Sequence, residues 1–150
     1  MAVNEVHVRG TQLTIAAPIA ANSGVGPKSG DPLIIGAGTS PSFGIAAVAE
    51  TSYTPPSGVA TGNIAIKTEG VFTLAVLPQT LPTGGSGVAI HIGDRVYAGP
   101  DGTYDATTGV YYGFTLCADP TTGVHYGNAL DALPSGSVAV TIRVRLKNGG

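Results

Sequence analysis

The sequence predicts a mainly β domain, a small barrel or sandwich of short antiparallel strands with at most one or two short helices. Three observations carry this. The 23 glycines and 11 prolines recur roughly every eight to twelve residues, the turn spacing of all-β folds. The runs between them are rich in Val, Ile and Thr, whose branched side chains suit a pleated surface. Helix signals are thin: "GNALDALPSG" alone offers Asn128 as an N-cap and Pro134 as a stop, and the same residues could equally finish a strand.

Taken in order, the first strand is expected over Val6–Ala16, and short apolar runs predict Pro32–Ile35 and Phe43–Glu50. Asn63–Thr68 follows, with Ile64 and Ile66 alternating against small or polar neighbours. At Gly70 the chain should bend or bulge before resuming as Val71–Leu77. Val88–Ile92, Arg95–Tyr97 and Tyr112–Cys117 come next. The clearest strand is Ser137–Leu146, where Val138, Val140, Ile142, Val144 and Leu146 fall on one face and Thr141, Arg143 and Arg145 on the other. "TTGVYYG" and "TTGVHYG", at Thr107 and Thr121, echo each other and read as two successive hairpin ends. Asp101–Gly102 favours a tight hairpin.

A chain of 150 residues fits one domain, or two small lobes sharing a core. Residues 1–10 read as an N-terminal arm and 11–150 as the β-rich body. Hydrophobic residues make up 43 % of the chain, but charged ones only 11 %, against roughly 25 % in an ordinary soluble domain. An exterior of Thr, Ser, Gly and Ala suits docking on another protein, because few charges need to be desolvated. The net charge of −2 and the lack of a basic cluster argue against a nucleic-acid partner, since that binding runs on Lys and Arg neutralising phosphates. No uncharged stretch escapes Pro and Gly for long enough to span a membrane, and no signal peptide opens the chain. The single cysteine, Cys117, lies in the apolar run "YGFTLCA" and is expected buried and reduced, which points to synthesis in the cytoplasm.

Motifs for chemistry fail on inspection. "NSGVGPKSG", Asn22 to Gly30, superficially matches a phosphate loop, but Pro27 stands where a glycine must donate its N–H, and Asn22 stands where the first glycine belongs. His7, His91 and His125 have no second ligand at metal spacing. Asp101 and Asp105 lack the residue order of a hand-type calcium loop. Ser86 in "GGSGV" is followed two residues later by Val88 where a nucleophile elbow needs glycine. No catalytic residue, metal site or cofactor is expected, so the protein reads as a non-enzyme.

Certain phrases occur in a familiar order: "RGTQLTIAAP", "SGDPLIIG", "FGIAAVAE", "GNIAIKTEGVFTLAV", "IHIGDRVYAGPDGTYDATTG" and "GNALDALPSGSVAVTIRVRL". Across residues 9–147 they resemble the capsid decoration, or cement, proteins of tailed phages, a family often mislabelled as RecA- or RadA-like recombinases. "IKTEGVFTL", "GDRVY" and the closing "RVRL" are the most specific phrases. The family usually carries a bulky aromatic before "GD-x-VY", where this chain has "AIHI", and "VYYGFTLCADPTTGVH" is longer than usual. The resemblance implies a β-tulip-like barrel. It also implies a homotrimer on the outer surface of the virion head, at three-fold and quasi-three-fold positions, clamping neighbouring major capsid proteins.

Shell contact is expected from the arm, at Val3, Glu5, Val6, His7, Val8 and Arg9, whose free end could add a strand to an open sheet edge. Alternatively, Val6 and Val8 simply begin the first strand. Trimer contacts are expected in two uncharged loops, at Tyr53, Pro55 and Pro56 and at Leu77 and Leu81. Two other function classes stand beside the cement reading. One is a carbohydrate-binding or adhesive β-domain using exposed tyrosines such as Tyr112 or Tyr126; the other is a small hydrolase.

Overall fold

The computed structural model describes residues 12–16, 26–36, 44–50, 63–121 and 123–148. Within them lie β1 (Gln12–Ala16), β2 (Pro32–Ile35), β3 (Ile45–Ala49), β4 (Asn63–Lys67), β5 (Val71–Leu77), β6 (Arg95–Ala98), β7 (Thr103–Asp105), β8 (Val110–Tyr112), β9 (Leu116–Cys117), β10 (Val124–Ala129) and β11 (Val140–Leu146), and no helix. The mainly β expectation holds. The strands form a six-stranded antiparallel sheet, ordered β1-β4-β3-β2-β8-β7, and a closed five-stranded barrel, β10-β11-β5-β9-β6. In the barrel β5 and β9 run parallel, while the other neighbours are antiparallel.

Strand alternation decides where the core sits. Leu74 and Val76 of β5 and Ile142, Val144 and Leu146 of β11 point inward and are buried. They share one cluster with Ile34, Ala46, Val48 and Tyr111 of the sheet, so the sheet lays one face on the barrel. The neighbours of those residues along β2 and β3 face the other way and are buried too, in a second cluster of Leu33, Ala47, Ala49, Ile64, Ile66 and Val110. A sheet buried on both faces needs continuous apolar runs rather than alternation. "PLII" and "IAAVA" are such runs.

Gly70 is where β4 of the sheet gives way to β5 of the barrel, and its φ of 120° lies where side chains rarely go. Gly113 (φ 72°) splits the strand expected over Tyr112–Cys117 in the same way. β8 ends in the sheet, and β9 begins in the barrel.

Several expectations need correction. Val88–Ile92 forms no strand: Ile90 exchanges two backbone bonds with Leu133 (2.9 and 2.8 Å), and the ladder goes no further. Of the two readings left open at "GNALDALPSG", the strand end holds and Asn128 caps no helix. Its amide donates to the Gly93 carbonyl (3.0 Å) while Leu130 N–H reaches Arg143, so the segment finishes β10. Asp101–Gly102 makes no hairpin, because β6 before it is in the barrel and β7 after it is in the sheet. The Asp101 carboxylate instead accepts the N–H and hydroxyl of Thr115 (2.9 and 2.6 Å). Val138 and Val140 are exposed at the barrel rim rather than buried. Of the two echoed phrases, Thr107–Gly113 closes the β7–β8 hairpin, whereas Thr121–Gly127 enters β10, which does not pair with the preceding β9. In both, an aspartate two residues ahead accepts the threonine N–H, Asp105 for Thr107 (2.9 Å) and Asp119 for Thr121 (2.8 Å). Val6 to Thr11 of the expected first strand lie outside the described residues.

Candidate docking surface

Cys117 is wholly buried, and that burial pushes its thiol up to about 11, far from a nucleophile's range. His125 is held below its ordinary value chiefly by burial, against the opposing hydrogen bond to Asn128. Among the described residues no group of three or more His, Cys, Asp or Glu could hold a metal. What the surface does offer is uncharged and apolar contact.

Ile92 sits at the tip of the turn between Ile90 and β6, 69 % exposed, and Val88 just before that turn is exposed too. The turn is fixed by Asp94, whose carboxylate accepts the His91 N–H (2.8 Å) and lies 3.2 Å from His91 Nδ1. The backbone bond from His91 is the main reason the Asp94 carboxyl is held below the usual range. Beside the tip lies a shallow hollow of about 230 Å³ lined by Val88, Ala89, Tyr97 and Pro120, with Asp94 and Arg95 among its walls. An apolar floor with charges beside it is the anatomy of a protein contact.

A second face is the outside of the barrel, where Val71, Thr73 and Ala75 of β5 stand beside Arg145, Arg143 and Thr141 of β11, all exposed. Arg143 on this face is committed to Asp131, which takes its N–H (2.8 Å) and binds the guanidinium through Nε and Nη2 (3.1 and 2.7 Å). The pair holds the Asp131 carboxyl down at about 2.

Of the expected contact residues, Val3, Glu5, Val6, His7, Val8 and Arg9 lie outside the described residues, as do Tyr53, Pro55 and Pro56. Leu77 is buried in the chain's own core, and Leu81 is half-buried. Leu81 belongs to a loop that closes on itself through Thr80 N–H to Ser86 (2.9 Å) and Val88 N–H to Pro78 (2.8 Å). Tyr126 is fully enclosed and presents no ring face to a sugar; Tyr112 is half-buried. Sequence reasoning took Val88 and Ile92 for a strand. An isoleucine immediately before the Gly93–Asp94 turn signal was the clue to an exposed tip.

A model of the family described as phage cement protein matches residues 8–146. That span holds every strand from β1 to β11. The curated proteins and the solved structures gave no match to the chain.

Proposed function

The chain belongs to the phage cement protein family, and from that membership we propose that it binds the outside of the phage head as a homotrimer at three-fold and quasi-three-fold positions. There it clamps neighbouring major capsid proteins and stabilises the expanded shell against the pressure of packed DNA. The family match across the whole fold carries this reading. The charge-poor exterior and the exposed apolar side chains Val71, Val88 and Ile92 support it, since contact rather than turnover is what a clamp requires. The N-terminal arm supplies the shell contact, and the loops around Tyr53 and Leu81 supply the trimer contact. Preference for expanded heads follows if expansion completes a site shared by several coat subunits, because a ligand stabilises whichever state it binds better.

The test is co-sedimentation of the purified protein with expanded and unexpanded heads, counting bound copies per coat subunit. Saturable, stoichiometric binding that favours expanded heads is expected. Deleting residues 2–8 should abolish it while the far-UV circular dichroism stays unchanged. A truncated protein that still saturates heads refutes the arm contact, and an intact protein that binds neither form refutes the cement role.

A further inference from the structure

The barrel is not sealed evenly. β5 pairs with β11 over Val71–Val76, but on its other side it meets β9 only at Val76 and Leu77. The direction of the backbone groups upstream follows from β11. Arg143 sends its N–H to Asp131 and its carbonyl accepts Leu130, so both point away from β5. Its antiparallel partner Thr73 must then point its own N–H and C=O away from β11, toward the open side. Val71, two residues back, points the same way. Among the described residues no strand meets that edge.

Thr73 of that edge lines a groove of about 380 Å³, together with Asp31 and Pro32, Phe114 and Thr115, and Thr141 of β11, while Val71 continues the same edge beyond the groove. Leu74 and Leu116 contribute apolar surface, and Asp31 is the one charged residue along it. A row of unpaired backbone donors and acceptors is a template for an added strand. Thr73 lies in this groove, so an extended segment laid along it can reach that residue's outward N–H and C=O.

We infer that this groove receives an extended, mainly uncharged segment of the coat-protein shell, which pairs with β5 at Val71 and Thr73 and places a basic residue opposite Asp31. The inference rests on the cement reading and adds a second contact to the arm. Val71 to Ala75 spans about 13 Å at a strand's rise, room for a short segment.

Thr73→Pro removes the outward N–H without breaking a bond to β11, and proline is tolerated where a strand's N–H faces outward. Thr73→Val changes the side chain but keeps the N–H. In co-sedimentation with expanded heads, wild type and T73V should saturate alike, while T73P weakens binding about tenfold or more. Hydrogen exchange read at the Thr73 amide should be fast in the free protein and slow on heads. Equal binding of T73P, unchanged exchange on heads, or equal loss in T73P and T73V each overturns the inference. Slow exchange in the free protein that increases with its concentration assigns the groove to a second copy and overturns it as well. If T73P fails to fold by circular dichroism, the wild-type exchange decides alone. Wild type that binds no heads refutes the cement reading itself, an outcome distinct from a T73P that binds normally.

Discussion

Tyr126 sits on barrel strand β10, yet its hydroxyl donates to the Ala47 carbonyl on sheet strand β3 (2.6 Å). Its ring meets Phe114 edge-on at 5.9 Å, and Phe114 stacks on Tyr111 at 5.1 Å. The Tyr111 hydroxyl in turn donates to Gly99 (2.7 Å) and accepts the Gly102 N–H (2.9 Å). Burial pushes the Tyr126 hydroxyl far above its ordinary value, so it stays a donor. Tyr126→Phe keeps the packing and loses one buried bond, which costs about 1–2 kcal/mol. The expected reading is a lower denaturant midpoint with an unchanged m-value. Gly127 carries a different constraint. A Cβ there would lie 2.4 Å from the Arg145 carbonyl oxygen and 2.8 Å from Val144 Cγ1. Since the nearer atom is backbone, Gly127→Ala should cost about 2 kcal/mol or more by forcing the strands apart. Cys117 should resist a thiol reagent at pH 8 in the native state and react fully in denaturant; rapid native labelling would contradict its complete burial.

At the level of strands, Asp131 and Arg143 join the β10–β11 connection to β11 with a pH signature whose sign is fixed. The folded carboxyl is held at about 2, below the roughly 3.9 of an unfolded aspartate. Its stabilisation is therefore present in full above the unfolded value and fades as pH falls toward the folded one. Asp131→Asn should lower the melting temperature near pH 7, and the gap to wild type should close between about pH 4 and pH 2. A gap that stays constant with pH would show that the carboxylate's charge contributes nothing. The strands themselves were legible where the pattern is local. Val71–Leu77 is legible with its observed bounds, because "VFTLAVL" is an apolar run closed by Gly70 on one side and Pro78 on the other. Thr103–Asp105 is not legible as a strand, since "TYD" is short, and of Val124–Ala129 the sequence offers only a strand start at one end and a possible strand end at the other, since "VHYGNA" holds an interior glycine. Their partners β8, β6 and β11 make them strands. Val88–Ile92 is the opposite case, an apolar run with no strand beside it. The open edge of β5 was invisible in the sequence, because it depends on where β9 stops.

Across the whole molecule the chain passes between sheet and barrel three times, after β4, after β6 and after β8. Near its end, Asn148 reaches back from the barrel to the sheet. Its side chain accepts the Ala46 N–H (3.1 Å) and donates to the carbonyls of Ala46 and Thr68, the latter at 2.8 Å. Sequence left open whether one lobe or two are present, because turn spacing reveals strands and not which sheet each one joins. With one cluster shared by both sheets and three crossings between them, neither the sheet nor the barrel is built from one contiguous segment of the chain. Unfolding should therefore be a single transition, with calorimetric and van't Hoff enthalpies in agreement. Asn148→Ala removes one anchor between the two sheets. It should shift that transition down by about 2 kcal/mol without splitting it, since the cluster still joins them. Two resolved transitions in the variant would mean that Asn148, rather than the shared cluster, couples sheet to barrel. On the proposed clamp reading, force applied at the barrel face would be borne by the sheet as well, because the shared cluster joins the two.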